Sequence, residues 1–211
     1  MMTQMFYAGA AEVDITPPPG LPMDGYLARQ GVSLGMHDPL LAGVLIVSDD
    51  EKRIALVTLD LLAVSAGFSD PLRGALAAQI GTSPAAIMVC PSHTHCGPSG
   101  LQNWFPPGDR PQLDSALASM MQTRILSAAQ TALDSMMAVE LVYTQGAVEG
   151  IGGDRNQPNT PGDQQVTTLC FRREDGKPVC ILFHYACHPT VLGAATRYYS
   201  ADFVGAARGR L

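Results

Sequence analysis

Apolar residues along this chain fall into short runs that are separated by polar, proline-rich or glycine-rich segments. Residues 6–15 predict a first strand, and the run Thr16-Pro17-Pro18-Pro19-Gly20 ends it because proline cannot donate to a β-ladder. Residues 41–48 and 53–60 predict two more strands. The four residues between them, 49–52, are all charged, as in many hairpin connections, so we expect this pair to be antiparallel.

The following segments predict a helix and another strand. Residues 70–80 have helical character, and residues 87–90 form a short apolar strand. Together with the preceding strand they make a βαβ unit over residues 54–90, whose two strands we expect to be parallel. Their carboxyl ends then meet at one side of the sheet. This places Asp60 beside the loop at residues 92–98, in the position where open α/β sheets bind ligands.

The second half of the chain predicts one long helix and three strands. Residues 112–137 carry an apolar residue every three or four positions along one helical face. These residues are Leu113, Leu117, Met121, Ile125, Ala128, Ala132 and Met136. Residues 139–148 predict a strand, and residues 166–173 with 178–185 predict a hairpin. The overall expectation is an α/β domain with a mixed β-sheet and flanking helices.

The last residues predict the start of a further helix. Ser200 is a suitable N-cap and Asp202 falls in the first turn, but the sequence stops at Leu211. An isolated helix of that length is marginal. We therefore expect residues 1–211 to be the N-terminal part of a domain that is incomplete at its C-terminus.

Composition excludes several classes of protein. Of the 211 residues, 46% are apolar and 15% are charged, which excludes a disordered chain. The net charge of −6, with two lysines among the 13 basic residues, argues against nucleic-acid binding through a basic patch. No apolar run reaches the roughly 18–20 residues that a transmembrane segment needs. Composition gives no prediction of the oligomeric state.

Cysteine usage bears on the cellular compartment. The chain has five cysteines, an odd number, and no pair has C-x-x-C spacing. We expect reduced thiols in a cytoplasmic protein. Residues 1–7 contain no basic residue and do not resemble a signal peptide, so secretion stays open only if a signal was removed by processing or cloning.

Four of the five histidines lie in two motifs, each directly after an apolar strand. The motifs are Ser92-His93-Thr94-His95-Cys96-Gly97-Pro98 and His184-Tyr185-Ala186-Cys187-His188-Pro189-Thr190. In an extended chain His93 and His95 face the same side. Neutral imidazole is a standard zinc ligand, and a second histidine nearby can act as a base or orient a substrate. The alternative is that these are surface loop histidines without a ligand.

The remaining polar candidates have two interpretations each. His184, on the body of a strand, is expected to be a hydrogen-bonded core residue, whereas His37 lies in a loop and is ambiguous. Asp60 is either an outer partner of a ligating histidine or a cap on the following loop. Arg155 either stabilises an oxyanion or is a solvated loop charge.

Several segments, taken in order, resemble the N-terminal catalytic domain of the neutral/alkaline, non-lysosomal ceramidases and their bacterial relatives. The segments are Asp14-Ile15-Thr16-Pro17, Met23-Asp24-Gly25-Tyr26, His37-Asp38-Pro39-Leu40, Thr58-Leu59-Asp60-Leu61-Leu62, Ser92-His93-Thr94-His95, Ala186-Cys187-His188-Pro189-Thr190 and Ser200-Ala201-Asp202-Phe203. The two histidine motifs carry most of the specificity. Cys96 departs from the family, which commonly has serine at that position.

The resemblance implies a zinc amidase that hydrolyses an N-acyl linkage, such as that of ceramide, with a zinc-activated water. It implies His93 and His188 as Zn²⁺ ligands, with a Glu and a Tyr supplied from beyond Leu211. It places His95 by the scissile amide and Arg155 in the active site, and His37 becomes a candidate substrate-binding residue. The partner is then a small-molecule or lipid amide. The alternatives are a metallohydrolase of esters or phosphoesters and a non-catalytic domain, and residues 1–211 alone are expected to be inactive.

Overall fold

The computed structural model describes residues 6–49, 51–102, 113–157, 160 and 162–210. Within these ranges the strands are β1 (Phe6–Asp14), β2 (Gly35–Met36), β3 (Leu41–Ser48), β4 (Arg53–Leu59), β5 (Ile87–Pro91), β6 (Met137–Ala147), β7 (Gln165–Arg172), β8 (Pro178–Tyr185) and β9 (Tyr198–Tyr199). The α-helices are α1 (Ala66–Ile80), α2 (Ser115–Asp134) and α3 (Asp202–Arg208). None of the helices in the described part of the chain is both long enough and apolar enough to cross a membrane.

A mixed sheet organises the fold, as the sequence predicted. Its strand order is β5-β4-β3-β1-β6-β7-β8, and β2 and β9 form a separate parallel pair. The β3–β4 and β7–β8 hairpins are antiparallel. Strands β4 and β5 are parallel around α1, which confirms the βαβ unit. The carboxyl ends of β4 and β5 therefore lie side by side.

Helices α1 and α2 cover one face of this sheet. Their buried side chains, such as Phe68 and Met121, share one core with Ile46 and Val57 of the central strands. Helix α2 approaches β1 so closely that a Cβ at Gly9 would lie 1.9 Å from the Ala132 carbonyl oxygen. Only glycine permits this contact. Each such buried side chain contributes about 1.5–3 kcal/mol to stability, which makes this layer the rigid base of the site.

The strands β6, β7 and β8 fold across the opposite face of the sheet. Strand β1 pairs with β6 through only three residues, Phe6 to Ala8. Beyond that point Phe171 of β7 packs on Ala8 and Leu45 in a second small core. Strand β8 contacts β1 although two strands separate them in the sheet order. The end of β8 is thereby carried back toward the end of β5.

This folding explains how the two histidine motifs meet. The strands before His93 and His188 are β5 and β8, which stand at opposite ends of the strand order. The motifs approach each other because the second half of the sheet crosses over the first. Hydrophobic periodicity predicts local strands and helices, and it does not predict that long-range bend.

The helix ends also differ from the predicted ones. Helix α1 begins at Ala66 rather than residue 70, because Phe68 is fully buried in the core and anchors an additional turn. Helix α2 begins at Ser115, where the Asp114 carboxylate accepts from the amides of Ala116 and Leu117. The predicted start of that helix, residue 112, lies outside the described residues. Helix α3 is capped at Ala201 rather than Ser200.

Candidate metal centre

Three histidines from distant parts of the chain converge at one point. His93 and His95 come from the loop after β5, and His188 comes from the loop after β8. One ring nitrogen of each lies within 4.8 Å of those of the other two. The ring centroids of His93 and His188 are 4.9 Å apart, and those of His95 and His188 are 4.5 Å apart. The structure thus joins the two motifs into one cluster.

The backbone around His93 is bent to present its ring. His93 adopts a left-handed conformation with φ of 69°, which costs about 1–3 kcal/mol in a residue other than glycine. Its amide donates to the Leu61 carbonyl at 2.9 Å. Its Nδ1 lies 2.7 Å from the Leu62 carbonyl oxygen, which can only accept, so Nδ1 carries the proton. The lone pair of His93 is therefore on Nε2, free to bind a metal.

Thr94 attaches this loop to the segment that precedes α3. Its side chain is completely buried, and Oγ1 donates to the Ser200 carbonyl at 2.8 Å. The same oxygen accepts from the Cys96 amide at 3.2 Å. The Ser200 amide in turn donates to the Cys96 carbonyl at 3.2 Å. These bonds fix the backbone on both sides of His95.

His95 is confined by Gly25 and Tyr26. The Tyr26 ring meets the imidazole edge to face, with centroids 4.9 Å apart. Gly25 has φ of 104°, and a Cβ there would lie 2.5 Å from Cβ and Cγ of His95. Burial, followed by the nearby His188 and His93, lowers the pKa of His95 to about 4. The ring is therefore neutral at physiological pH and can bind a metal or accept a proton.

His188 faces His95 directly. The two Nε2 atoms are 2.7 Å apart, so one of them donates a hydrogen bond to the other. Burial, His93 and Arg155 each lower the pKa of His188. Three and four residues after His188, the amides of Val191 and Leu192 donate to the buried Asp202 carboxylate at 3.3 and 2.9 Å. Asp202 thereby attaches the His188 loop to the start of α3.

Arg155 lies close enough to the cluster to act on it electrostatically. It is an exposed residue in the segment between β6 and β7. Its positive charge contributes to the lowered pKa of His188. The charge of Arg155 therefore acts on His188, and the catalytic role of Arg155 stays a prediction.

Asp60 makes contacts other than an outer bond to a ligating histidine. Its buried carboxylate accepts from the Leu41 amide at 2.8 Å and pairs with Arg208 at 2.7 Å. The Leu62 carbonyl makes the bond to His93 instead. The interpretation of Asp60 as an outer partner is thus replaced by an ion pair that joins the end of β4 to α3. Arg208 follows Asp60 by 148 positions, and no local pattern connects the two.

The other two histidines lie outside the cluster. The His37 Nδ1 is 2.8 Å from an Asp38 carboxylate oxygen, and its ring borders a cavity of about 660 Å³ between the β2–β3 connection and α3. A substrate-binding role for His37 stays a prediction. His184 was expected in the core, but it is exposed on β8. The reason is that β8 turns its alternate residues to solvent at this end.

Sequence reasoning missed Tyr26 and the structural role of Asp202. Tyr26 stands in the Met23-Asp24-Gly25-Tyr26 turn, and its contact with His95 joins residues far apart in the chain. Asp202 was expected to favour a helix start through its charge. It has φ of 58° and receives three backbone amides, those of Val191, Leu192 and Phe203.

The cluster fits a borderline-soft metal such as zinc. Three imidazoles offer nitrogen ligands, and an outer carbonyl fixes the tautomer of His93, as is common for metal-bound histidine. Tetrahedral coordination at 2.0–2.1 Å separates two ligand nitrogens by about 3.3 Å. The His95 and His188 nitrogens are 2.7 Å apart, so this pair must open slightly if both bind one ion. His93 and His188 can bind without His95.

Comparison with known proteins gives a consistent result. Residues 6–211 match the family described as neutral/alkaline non-lysosomal ceramidase, N-terminal. The chain is similar to the crystal structure of neutral ceramidase from Pseudomonas aeruginosa, with a TM-score of 0.81 and 19% identity over 97% of this chain and 35% of that one. It is also similar to a ceramidase complexed with C2, with a TM-score of 0.79, 19% identity and coverage of 97% and 34%. The chain thus spans about a third of the length of these structures.

Proposed function

The chain belongs to the neutral/alkaline non-lysosomal ceramidase family, and from that premise we propose that it is the N-terminal part of a zinc-dependent amide hydrolase. The single observation that carries the proposal is the cluster of His93, His95 and His188, whose ligand nitrogens lie within 4.8 Å of one another. The proposed reaction is hydrolysis of an N-acyl linkage. Ceramide, a lipid amide, is the first substrate to test.

We propose that His93 and His188 hold the metal. The Nε2 atom of His93 has its lone pair free because Nδ1 donates to Leu62. His188 has a lowered pKa and is neutral at physiological pH, as a ligand must be. When bound, zinc would lower the pKa of a water molecule to about 7 and polarise the amide carbonyl. A catalytic zinc usually has three protein ligands, so we propose that a residue outside 1–211 completes the set.

His95 is the proposed proton carrier. It is neutral, it lies against His188, and Gly25 and Tyr26 restrict its ring. In this position it can accept a proton from the attacking water and return it to the leaving amine, as general acid–base catalysis requires. Arg155, an exposed residue whose charge acts on His188, is proposed to stabilise the negative charge that develops on the carbonyl oxygen.

The structure also favours a second ligand set. All three imidazoles are close enough to bind one ion together, and three histidines with one open position is an established form of catalytic zinc site. In that case His95 is a ligand rather than the proton carrier, and the chain contains a complete set. The two assignments differ in whether zinc stays bound when His95 is replaced.

The experiment that tests the function is a substrate panel on the full-length gene product. N-acyl sphingoid amides, short N-acyl amino alcohols, p-nitrophenyl esters and phosphodiesters are compared at equal concentration, with and without chelator. We expect zinc-dependent cleavage of N-acyl amides, and the same assay on residues 1–211 to show no turnover. Cleavage of esters or phosphodiesters with no amide cleavage contradicts the proposed reaction.

A further inference from the structure

Tyr26 lies between the two loops that carry the histidines. Its ring packs edge to face on His95, with centroids 4.9 Å apart and an interplanar angle of 62°. Its hydroxyl donates to the Leu192 carbonyl at 3.0 Å, in the loop that follows His188. One side chain therefore contacts both loops at once, through two different groups. An aromatic edge-to-face contact contributes about 0.5–1.5 kcal/mol beyond burial.

The loop that Tyr26 binds is held from two sides. The Leu192 amide donates to Asp202 at 2.9 Å, while the Leu192 carbonyl accepts from Tyr26. His188 lies four residues before Leu192, and the Pro189 carbonyl next to it accepts from the His95 amide at 3.5 Å. These hydrogen bonds tie the short segment after His188 to Tyr26, Asp202 and the His95 amide.

Tyr26 is itself fixed by Arg29. The guanidinium carbon of Arg29 lies 5.0 Å from the Tyr26 ring centroid, and Nη1 donates to the Asp24 carbonyl at 2.7 Å. Nη2 of Arg29 lies 3.7 Å from the Cys96 sulfur. Burial, Cys96 and Asp202 raise the pKa of Tyr26, so its hydroxyl stays protonated and can donate. The phenol is thus held in one orientation rather than swinging in solvent.

We propose that Tyr26 is a positioning residue that sets the separation of His95 from His188, its ring seating the first and its hydroxyl holding the loop of the second. The kinetic consequence rests on the proposed function, because it assumes that His95 carries the proton and His188 holds the metal. The effect of Tyr26 on the positions of the His95 and His188 rings does not depend on which reaction the protein catalyses. The two groups of the side chain can be removed separately.

The test compares Tyr26→Phe and Tyr26→Leu in the full-length gene product. Tyr143, an exposed tyrosine on β6, supplies the matched controls Tyr143→Phe and Tyr143→Leu. Tyr26→Phe loses one hydrogen bond, and we expect zinc affinity to fall about 2–10-fold with kcat nearly unchanged. Tyr26→Leu loses the ring as well, and we expect kcat to fall at least about 10-fold with KM within about threefold. Substitution by Phe rather than Leu should therefore preserve most of kcat.

The imidazole NMR spectrum of the metal-free full-length gene product provides a readout that needs neither zinc nor turnover. We expect Tyr26→Leu to shift the ring resonances of both His95 and His188, and Tyr26→Phe to shift those of His188 alone. Unshifted resonances in Tyr26→Leu overturn the proposal, as does kcat equal in Tyr26→Phe and Tyr26→Leu. A wild-type protein without zinc or amidase activity contradicts the proposed function instead, and the NMR result then decides the positioning role.

Discussion

Replacing Thr94 by valine tests how the histidine loops are held together. Valine has nearly the same shape, so Thr94→Val creates no cavity and removes only the hydroxyl. That hydroxyl donates to the Ser200 carbonyl at 2.8 Å and accepts from the Cys96 amide at 3.2 Å. Ser200 and Cys96 are almost fully buried, with 1% and 0% of their surface exposed. Water therefore cannot replace either bond without disturbing the loop.

The expected loss of stability follows from the Ser200 carbonyl and the Cys96 amide, which both lose their hydrogen-bond partner in Thr94→Val. A buried backbone group left without a partner costs about 1–3 kcal/mol, so we expect Thr94→Val to lower the free energy of unfolding by about 2–4 kcal/mol. Thr94→Ser keeps the hydroxyl and loses one methyl group, which costs about 1 kcal/mol. Thr131 is the control, because its hydroxyl bonds to Ser127 on the exposed side of α2. Thr131→Val should change the free energy by no more than about 0.5 kcal/mol.

Urea denaturation of the chain, followed by circular dichroism, measures these values. The variants are compared only if the free energy of unfolding falls with urea concentration at the same slope in each of them. The reasoning is refuted if Thr94→Val is as stable as Thr94→Ser, since the buried hydrogen bonds then contribute nothing beyond the packing of the side chain.

Three further predictions concern the same site. Gly25→Ala should reduce turnover of the full-length product by about 100-fold or more, because a Cβ at this position lies 2.5 Å from His95 and forces the ring to move. Gly193→Ala is the control and should not reduce turnover, because a Cβ at Gly193 meets open space. Equal turnover in the two variants contradicts the role of Gly25. In the metal-free chain, NMR titration should give His95 a pKa of about 4, and a pKa near 6.5 contradicts the described burial. The free energy of unfolding should fall as the pH drops from 6.5 toward 4, because the unfolded chain then binds more protons than the folded chain. Thiol titration of denatured, unreduced protein should find all five cysteines free, and a lower count that recovers on reduction contradicts the proposed cytoplasmic location.

Local patterns were sufficient for the elements that flank the site. The βαβ unit over residues 54–90 was predictable because a helix between two apolar strands leaves one favourable handed arrangement. The hairpin at 41–60 was predictable from its polar connection. The two histidine motifs were recognisable from their residue types and from their position directly after strands.

The contacts that make the site were not predictable from local patterns. His93 and His188 meet because β8 crosses over β1, and that bend depends on Phe171 packing against Ala8 and Leu45. The sequence around Asp60 allows a histidine partner because nothing near it indicates Arg208. From the sequence alone, a carboxylate at the end of a strand is compatible with a bond to a histidine and with an ion pair. Only the folded position of Arg208 distinguishes the two.

Zinc content of the histidine variants is the most direct test of the account. The full-length product and its His93→Ala, His188→Ala and His95→Ala variants are purified without added metal, and bound zinc and amidase turnover are measured on the same samples. The account predicts one zinc per wild-type chain, loss of zinc and turnover in His93→Ala and His188→Ala, and retained zinc with reduced turnover in His95→Ala. Loss of zinc in His95→Ala contradicts the assigned roles and makes all three histidines ligands, and zinc retained in all three variants contradicts the metal centre itself.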